Sequence, residues 1–326
     1  MSAASGAGFP VLVGDFGGTN ARFGWVRSAG APLSDVSSML CAEFPRPEDA
    51  ARSYLDRLQP DAPPSRAAIA IAGAVAGGPV KVTNSHWILE REAFARHIGS
   101  RAIDVFNDFE AIALLLPYLT PRDYRVVGAA TPSLDHAMGV IGPGTGLGVG
   151  GIVPVRGGGW QSWCGEGGHA TLAAATDYHL QILAAARKSH PHVSAERLVS
   201  GIGLPSLQSA VAEVEGLALD RPMRAEEICT LGADRTDRLC ERTMEAFCSL
   251  LGCVAGNLAL TLGARGGLFI AGGIVPRLGD FFVQSGFRQH FESKGRYADY
   301  LRAISTPVIT AAHPGLLGMA RAAAAP

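Results

Sequence analysis

The amino-acid sequence predicts an α/β protein built from two related halves, and three observations carry that prediction. A strand–glycine turn–strand unit opens the chain in "PVLVGDFGGTNARFGWV" and returns in "AMGVIGPGTGLGVGGIVPV". Short, continuously apolar runs such as "RAAIAIAGAV" have the character of strands buried on both faces of a mixed sheet. Elsewhere the chain passes from such a strand straight into a helical pattern, as in "RAIDVFNDFEAIALLLPYL".

Taken in order, apolar runs flank Gly14, Gly17 and Gly18 and predict a strand, a tight turn and a second strand. "RAAIAIAGAV" follows as a buried strand. In "FNDFEA", Asp108 stands at the junction of strand and helix, where an N-cap is expected, and Pro117 interrupts the apolar run beyond. The second glycine hairpin comes next. Helices are then expected around "ATDYHLQILAAARK", around "SAERLVSG", and over a long span from Asp234 to Gly263. "GGLFIAGGIVP" predicts a buried strand that ends at Gly272 and Gly273, before Pro276. No low-complexity linker divides the chain, so the boundary is expected at a crossover near residues 117–125. This gives a small α/β domain, 1–120 plus a C-terminal helix 312–326, and a large α/β domain, 121–311.

Composition narrows the function. The 326 residues are 48% hydrophobic and 17% charged, as in a globular protein with a substantial core. A net charge of -1 offers no electrostatic case for nucleic acid or an anionic membrane as partner. "MSAASGAGFP" lacks the basic and apolar regions of a signal peptide. The most apolar span, "CSLLGCVAGNLALTL", is shorter than the roughly 20 residues a bilayer requires, and is expected to be a buried helix. Cys41, Cys164, Cys229, Cys240, Cys248 and Cys253 form no CxxC pair and no linear metal-ligand pattern with histidine, so reduced thiols in a cytoplasmic setting are expected.

The glycine turns admit three readings. Walker A needs a lysine after its loop, and Lys81, Lys188 and Lys294, the three lysines of the chain, do not supply it. "GLGVGG", Gly146 to Gly151, matches the dinucleotide fingerprint, with Glu166 about 20 residues on. That fingerprint must open a helix, however, and "IVPVRGGG" follows here, with Pro154 and three glycines. The remaining reading makes both turns β-hairpins whose backbone N–H groups approach one nucleotide, with Thr19 and Thr145 adding hydroxyls. An acid beside a polyphosphate would repel it, unless Asp15 serves a Mg²⁺ ion that neutralises the phosphates.

"GDFGGTNARFG", "NDFEAIA", "GPGTGLGVGG", "GEGGHA", "SAERLVSGIGL" and "FIAGGIVP" together resemble the bacterial glucokinases of the hexokinase–actin–Hsp70 superfamily. The resemblance runs in order from about Val11 to Gly318. It implies a two-domain, actin-like (ribonuclease H-like) α/β fold with ATP and glucose in the interdomain cleft, and a homodimer. The cysteine-rich zinc motif of the related sugar kinases and repressors is missing, and no N-terminal helix-turn-helix is expected ahead of the strand near Val11.

A sugar hydroxyl that attacks a phosphoryl group must lose its proton, and Asp108 is the expected general base. A carboxylate so placed could equally be only a cap, and the resemblance implies catalysis. Neighbouring Asn107 offers both a donor and an acceptor. The resemblance assigns Glu166, His169 and Glu196 to the glucose hydroxyls, although Glu196 alone reads as an acid in a first helical turn. Asn84 and Gly146 complete the expected sugar site, while Trp87 reads as core. Gly14, Asp15, Gly17, Gly18, Thr19, Asn20, Gly144 and Thr145 are expected at the phosphates. Ser200, Gly201, Gly203, Gly272 and Gly273 are expected around adenosine, with Asp15 on Mg²⁺ through water. The expected activity is ATP-dependent phosphorylation of glucose. Its rivals are a non-catalytic sugar sensor, which would need neither base nor phosphate turns, and a kinase of different or broader hexose specificity.

Overall fold

A computed structural model describes residues 8–324. Part of the N-terminal stretch read for a signal peptide, 1–7, and the last positions of the expected C-terminal helix, 325–326, lie outside the described residues. The chain forms two compact units, one running through Tyr118 and resuming at Ala312, the other Leu119–Ala311.

In the first unit β1 (Val11–Phe16), β2 (Asn20–Val26) and β3 (Ser34–Leu40) form an antiparallel meander. β4 (Arg66–Ile71) lies parallel beside β1. A small ribbon of β5 (Val80–Lys81) and β6 (Ile88–Leu89) follows, and β7 (Ile103–Asn107) lies parallel beside β4. The sheet order is β3-β2-β1-β4-β7.

Alternate side chains of β1 separate two cores, as the two-residue period of a strand demands. Leu12 and Phe16 pack with Phe23, Ile69, Trp87 and Phe94 on one face. Val11 and Val13 pack with Ala68, Ala70, Leu316 and Met319 on the other. Trp87 is fully buried, with its indole N–H donating to the Phe44 carbonyl at 2.9 Å, so it is core. On the second face the helix Asp108–Leu115 meets the C-terminal helix Pro314–Ala324 where Gly318 approaches the Ala111 carbonyl.

The second unit contains β8 (Tyr124–Val127), β9 (Met138–Pro143), β10 (Leu147–Pro154), β11 (Trp160–Gly165), β12 (Gly267–Ile270) and β13 (Thr306–Ile309). Their order is β11-β10-β9-β12-β13-β8. β9, β10 and β11 are an antiparallel meander, β12 runs parallel to β9 and β13 parallel to β12. Apart from the antiparallel edge strand β8, the plan repeats that of the first unit, strand for strand.

Three expectations need correction. The long helix starts at Arg238, not near Asp234. Asp234 closes the preceding helix Ala225–Ala233, Arg235 takes a φ of 56°, and Asp237 caps the new helix by accepting the Cys240 N–H at 2.8 Å. "SAERLVSG" is a hydrogen-bonded turn rather than a helix. Ser194 is held in a bridge to Thr171, and the Ser200 hydroxyl donates to the Glu196 carbonyl at 2.6 Å while accepting the Gly203 N–H at 3.0 Å. Side-chain oxygens there compete with helical bonding. Lastly, the N-cap of Asp108–Leu115 is Asn107, whose Oδ1 accepts from Phe109 and Glu110 at 2.8 and 3.3 Å, so Asp108 is the first helical residue.

The helix Arg238–Leu262 is long and apolar enough to cross a membrane, but Met244, Phe247, Leu251 and Ala255 are fully buried in the unit's own core. It is the buried helix that the sequence suggested. Gly263, with φ 59°, ends it in a left-handed cap.

Candidate active site

In the first unit the ends of β1, β4 and β7 lie in register, with Phe16 beside Ile71 and Ile71 beside Asn107. The carboxyl ends of parallel strands are where open α/β sheets place ligands. The β1–β2 turn leaves Thr19 exposed and is closed by the Gly17 N–H donating to the Asn20 carbonyl at 3.0 Å. Gly18 passes so close to Thr83 and Asn84 that a Cβ would lie 2.9 Å from each. Asn84, exposed and at φ 59°, therefore borders this turn. Gly14 lies buried within β1, where a Cβ would come within 2.7 Å of Ile69, so close packing within the sheet alone accounts for a glycine there.

Asp15 sits near the end of β1, with Arg22 at 3.8 Å. Its carboxylate faces the start of the C-terminal helix, where a Cβ on Gly315 would lie 2.8 Å from Oδ2. Burial raises its pKa above the usual carboxylate range, opposed by the charges of Arg22 and His313. A desolvated oxygen donor of this kind gains from a divalent cation, so Asp15 fits the Mg²⁺ role. Asn107 has committed its acceptor to the helix cap and donates one amide hydrogen to the Gly73 carbonyl at 3.0 Å. What it can still offer a ligand is mainly its second N–H. Asp108 follows, with Oδ1 accepting the Phe109 N–H at 3.0 Å.

In the second unit the fold draws Glu166, His169, Glu196 and Gly146 together. Glu166 precedes and His169 ends the short 3₁₀ turn Gly167–His169 after β11, and the His169 N–H donates to the Glu166 carbonyl at 3.0 Å. His169 Nε2 stands 3.8 Å from Glu166, and its Nδ1 3.9 Å from Glu196. Glu196 is anchored at both ends. Its N–H donates to the Gly168 carbonyl at 2.9 Å, and its Oε2 accepts the Leu147 N–H at 2.8 Å. Gly146 lies under that carboxylate, where a Cβ would collide with Oε2. Two acids and an imidazole thus surround one point beside the β9–β10 turn, and a polyhydroxylated ligand needs such closely spaced donors and acceptors.

The β9–β10 turn is the counterpart of the first. Its Gly144 N–H donates to the Gly146 carbonyl at 2.9 Å, and Thr145 is exposed. The segment after Glu196 is stitched to it, Gly201 N–H to Gly144 and Ile202 N–H to Thr145 at 2.8 and 3.1 Å. Beyond lies a cavity of about 790 Å³, lined in part by Gly144, Thr145, Gly201 and Gly273. That volume lies within the range of small-molecule and cofactor pockets.

Ser200, Gly203 and Gly272 support this cavity instead of lining it: Ser200 is buried, a Cβ on Gly203 would meet the Glu196 carbonyl at 2.6 Å, and one on Gly272 would strike Pro143. The far wall was not anticipated. Arg224, Glu226 and Cys229 come from the start of the helix Ala225–Ala233, and Arg277 from Val275–Leu278. Glu226 and Glu227 in the first turn were a legible helix-start signal. Burial pushes the Cys229 thiol up to about 11, so it lines the cavity as a neutral group.

Comparison with known proteins identifies the family of the chain. The sequence model of the family described as Glucokinase matches residues 12–326. A glucokinase of Chromobacterium violaceum is 43% identical over 320 residues, covering 98% of this chain and 91% of that protein. One from Nitrobacter hamburgensis is 43% identical over 309 residues, covering 95% of each. The crystal structure of a glucokinase from an Antarctic psychrotroph superposes with a TM-score of 0.87 at 34% identity, over 96% of this chain and 98% of that one. The repeated mixed sheets are those of the actin-like sugar kinases, and the chain belongs to the glucokinase family of phosphotransferases.

Proposed function

We propose that this chain transfers the γ-phosphoryl group of ATP to glucose, forming glucose 6-phosphate and ADP, with Asp108 as general base. The observation that carries the sugar assignment is the cluster of Glu166, His169 and Glu196, with Glu196 held by the Leu147 N–H of the β9–β10 turn. In this reading the three side chains bind sugar hydroxyls, and Asn107 donates its remaining N–H to another. Asn84 and Gly146 border the sugar. Asp108 Oδ2 takes the hydroxyl proton, its partner Oδ1 being oriented by the Phe109 N–H.

The turn residues Gly17, Gly18, Thr19 and Asn20, and Gly144 with Thr145, offer backbone N–H and hydroxyl groups to the phosphates. Gly201 and Gly273, on the wall of the cavity, contact adenosine. Asp15 would hold Mg²⁺ through water, and that ion would neutralise phosphate charge. Residues 1–120 with 312–326 act as the small domain and 121–311 as the large one, and the enzyme works as a cytoplasmic homodimer.

A coupled assay with ATP and a panel of hexoses tests the reaction. Preferred turnover of glucose supports it. Glucose binding without turnover of any hexose would favour the sugar sensor, and comparable turnover of several hexoses the broader kinase. Sedimentation of the purified protein tests the dimer.

A further inference from the structure

Away from these residues, the second unit assembles a ligand set that its linear sequence hides. His179 lies on the helix Asp177–Ala186, Cys253 on Arg238–Leu262 and His290 on Phe287–Glu292. One donor atom from each falls within 4.8 Å of the others. Cys253 Sγ is 4.0 Å from His179 Nδ1 and 3.9 Å from His290 Nδ1. Small residues create this closeness. A Cβ on Gly252 would strike the Phe287 carbonyl, and one on Gly256 would lie 2.5 Å from that of Phe291. The two helices therefore touch backbone to backbone on either side of Cys253.

We propose that His179, Cys253 and His290 bind a zinc ion that ties these three helices together. Two imidazoles and a thiolate are a donor set that zinc favours. With Zn–N near 2.0–2.1 Å and Zn–S near 2.3 Å, a tetrahedral site separates sulfur from nitrogen by about 3.6 Å. The two sulfur–nitrogen spacings thus need to close by a few tenths of an ångström, and the two histidine donors, now within 4.8 Å, to about 3.4 Å.

The hydrogen bonding also prepares the ligands. Ser249 Oγ donates its proton to the Ala246 carbonyl at 2.9 Å, so towards His179 Nε2, also at 2.9 Å, it accepts. His179 therefore carries its proton on Nε2 and turns the lone pair of Nδ1 towards Cys253, the outer bond that fixes a metal-binding tautomer. Lys294 donates to the Cys253 carbonyl at 3.1 Å and so ties the segment after His290 to this turn of the long helix. Binding releases one proton, from Cys253 Sγ. With three protein ligands the fourth position of a tetrahedral ion falls to water, and a cavity of about 270 Å³ reaches the edge of the cluster at His290 and Ser249. None of the three ligands is among the residues assigned to the phosphoryl transfer, and the role of the site is structural.

The test uses the full chain in a Cys164→Ser background, which removes the exposed thiol. Titration with Co²⁺ should produce a sulfur-to-cobalt charge-transfer band at about one equivalent per chain, and Zn²⁺ should abolish it. Cys253→Ala and His290→Ala should each weaken binding by at least about 100-fold. Ser249→Ala, which keeps all three ligands, should weaken it by about 10- to 100-fold. Zinc should raise Tm in the parent protein and in a Cys248→Ser control, but not in Cys253→Ala. No charge-transfer band in the parent, or an equal band in Cys253→Ala, would overturn the site.

Discussion

Gly146 has no side chain to offer a sugar, yet replacing it should weaken glucose binding through Glu196. A Cβ at this position would collide with Glu196 Oε2 and lie 3.2 Å from its Cδ. The far end of a side chain yields before the backbone does, so Gly146→Ala should displace the carboxylate and break its 2.8 Å bond with the Leu147 N–H. Hydrogen bonds to charged groups contribute about 1.5–3 kcal/mol, which sets the upper range of the loss at about 10- to 150-fold in glucose affinity. Calorimetry on Gly146→Ala, Glu196→Gln and the double mutant measures it. Because both changes act on one carboxylate, the double mutant should fall well short of the sum of the singles. Losses that add within about 0.5 kcal/mol would show that Gly146 does not act through Glu196, and an unchanged affinity in Gly146→Ala would refute the steric argument itself.

Asp108→Asn should retain glucose binding while kcat falls by about 10²–10⁴-fold; retention of more than about a tenth of kcat would remove it as the base. Asp15→Asn should raise the Mg²⁺ concentration for half-maximal rate and leave glucose affinity, measured without nucleotide, unchanged. Tighter ATP binding with the same Mg²⁺ dependence would instead mark Asp15 as a charge that merely repels phosphate. In the first unit, Gly318→Ala should destabilise by about 1–3 kcal/mol, because the added methyl meets the Ala111 carbonyl across two packed helices. Thermal unfolding at fixed pH reads this directly, and an unchanged Tm would mean that the helices separate at no cost.

Much of the architecture was written locally. Each hairpin strand declares itself by an apolar run, and each turn by glycines whose neighbours cannot continue a helix, so β1–β2 and β9–β10 were legible from "GDFGGTNARFG" and "GPGTGLGVGG". The strand ahead of Asp108 and the buried helix holding Cys253 were legible for the same reason: a few successive residues carry the whole signal. Where two neighbours compete for one role, local signals fail. Asn107 and Asp108 can both cap a helix, and only the Gly73 carbonyl, brought alongside by β4, gives the amide a partner that the carboxylate could not use.

"SAERLVSG" has helical composition, but its serines bond to the backbone and its ends are pinned to Thr171 and to the β9–β10 turn. Glu196 owes its position to those same long-range bonds. The wall formed by Arg224 and Arg277, and the meeting of His179, Cys253 and His290, depend on helices distant in sequence coming together. Spacing along a chain records which residues share an element. Which elements then touch is decided by packing, and there Gly252 and Gly256 determine how near His290 comes to Cys253.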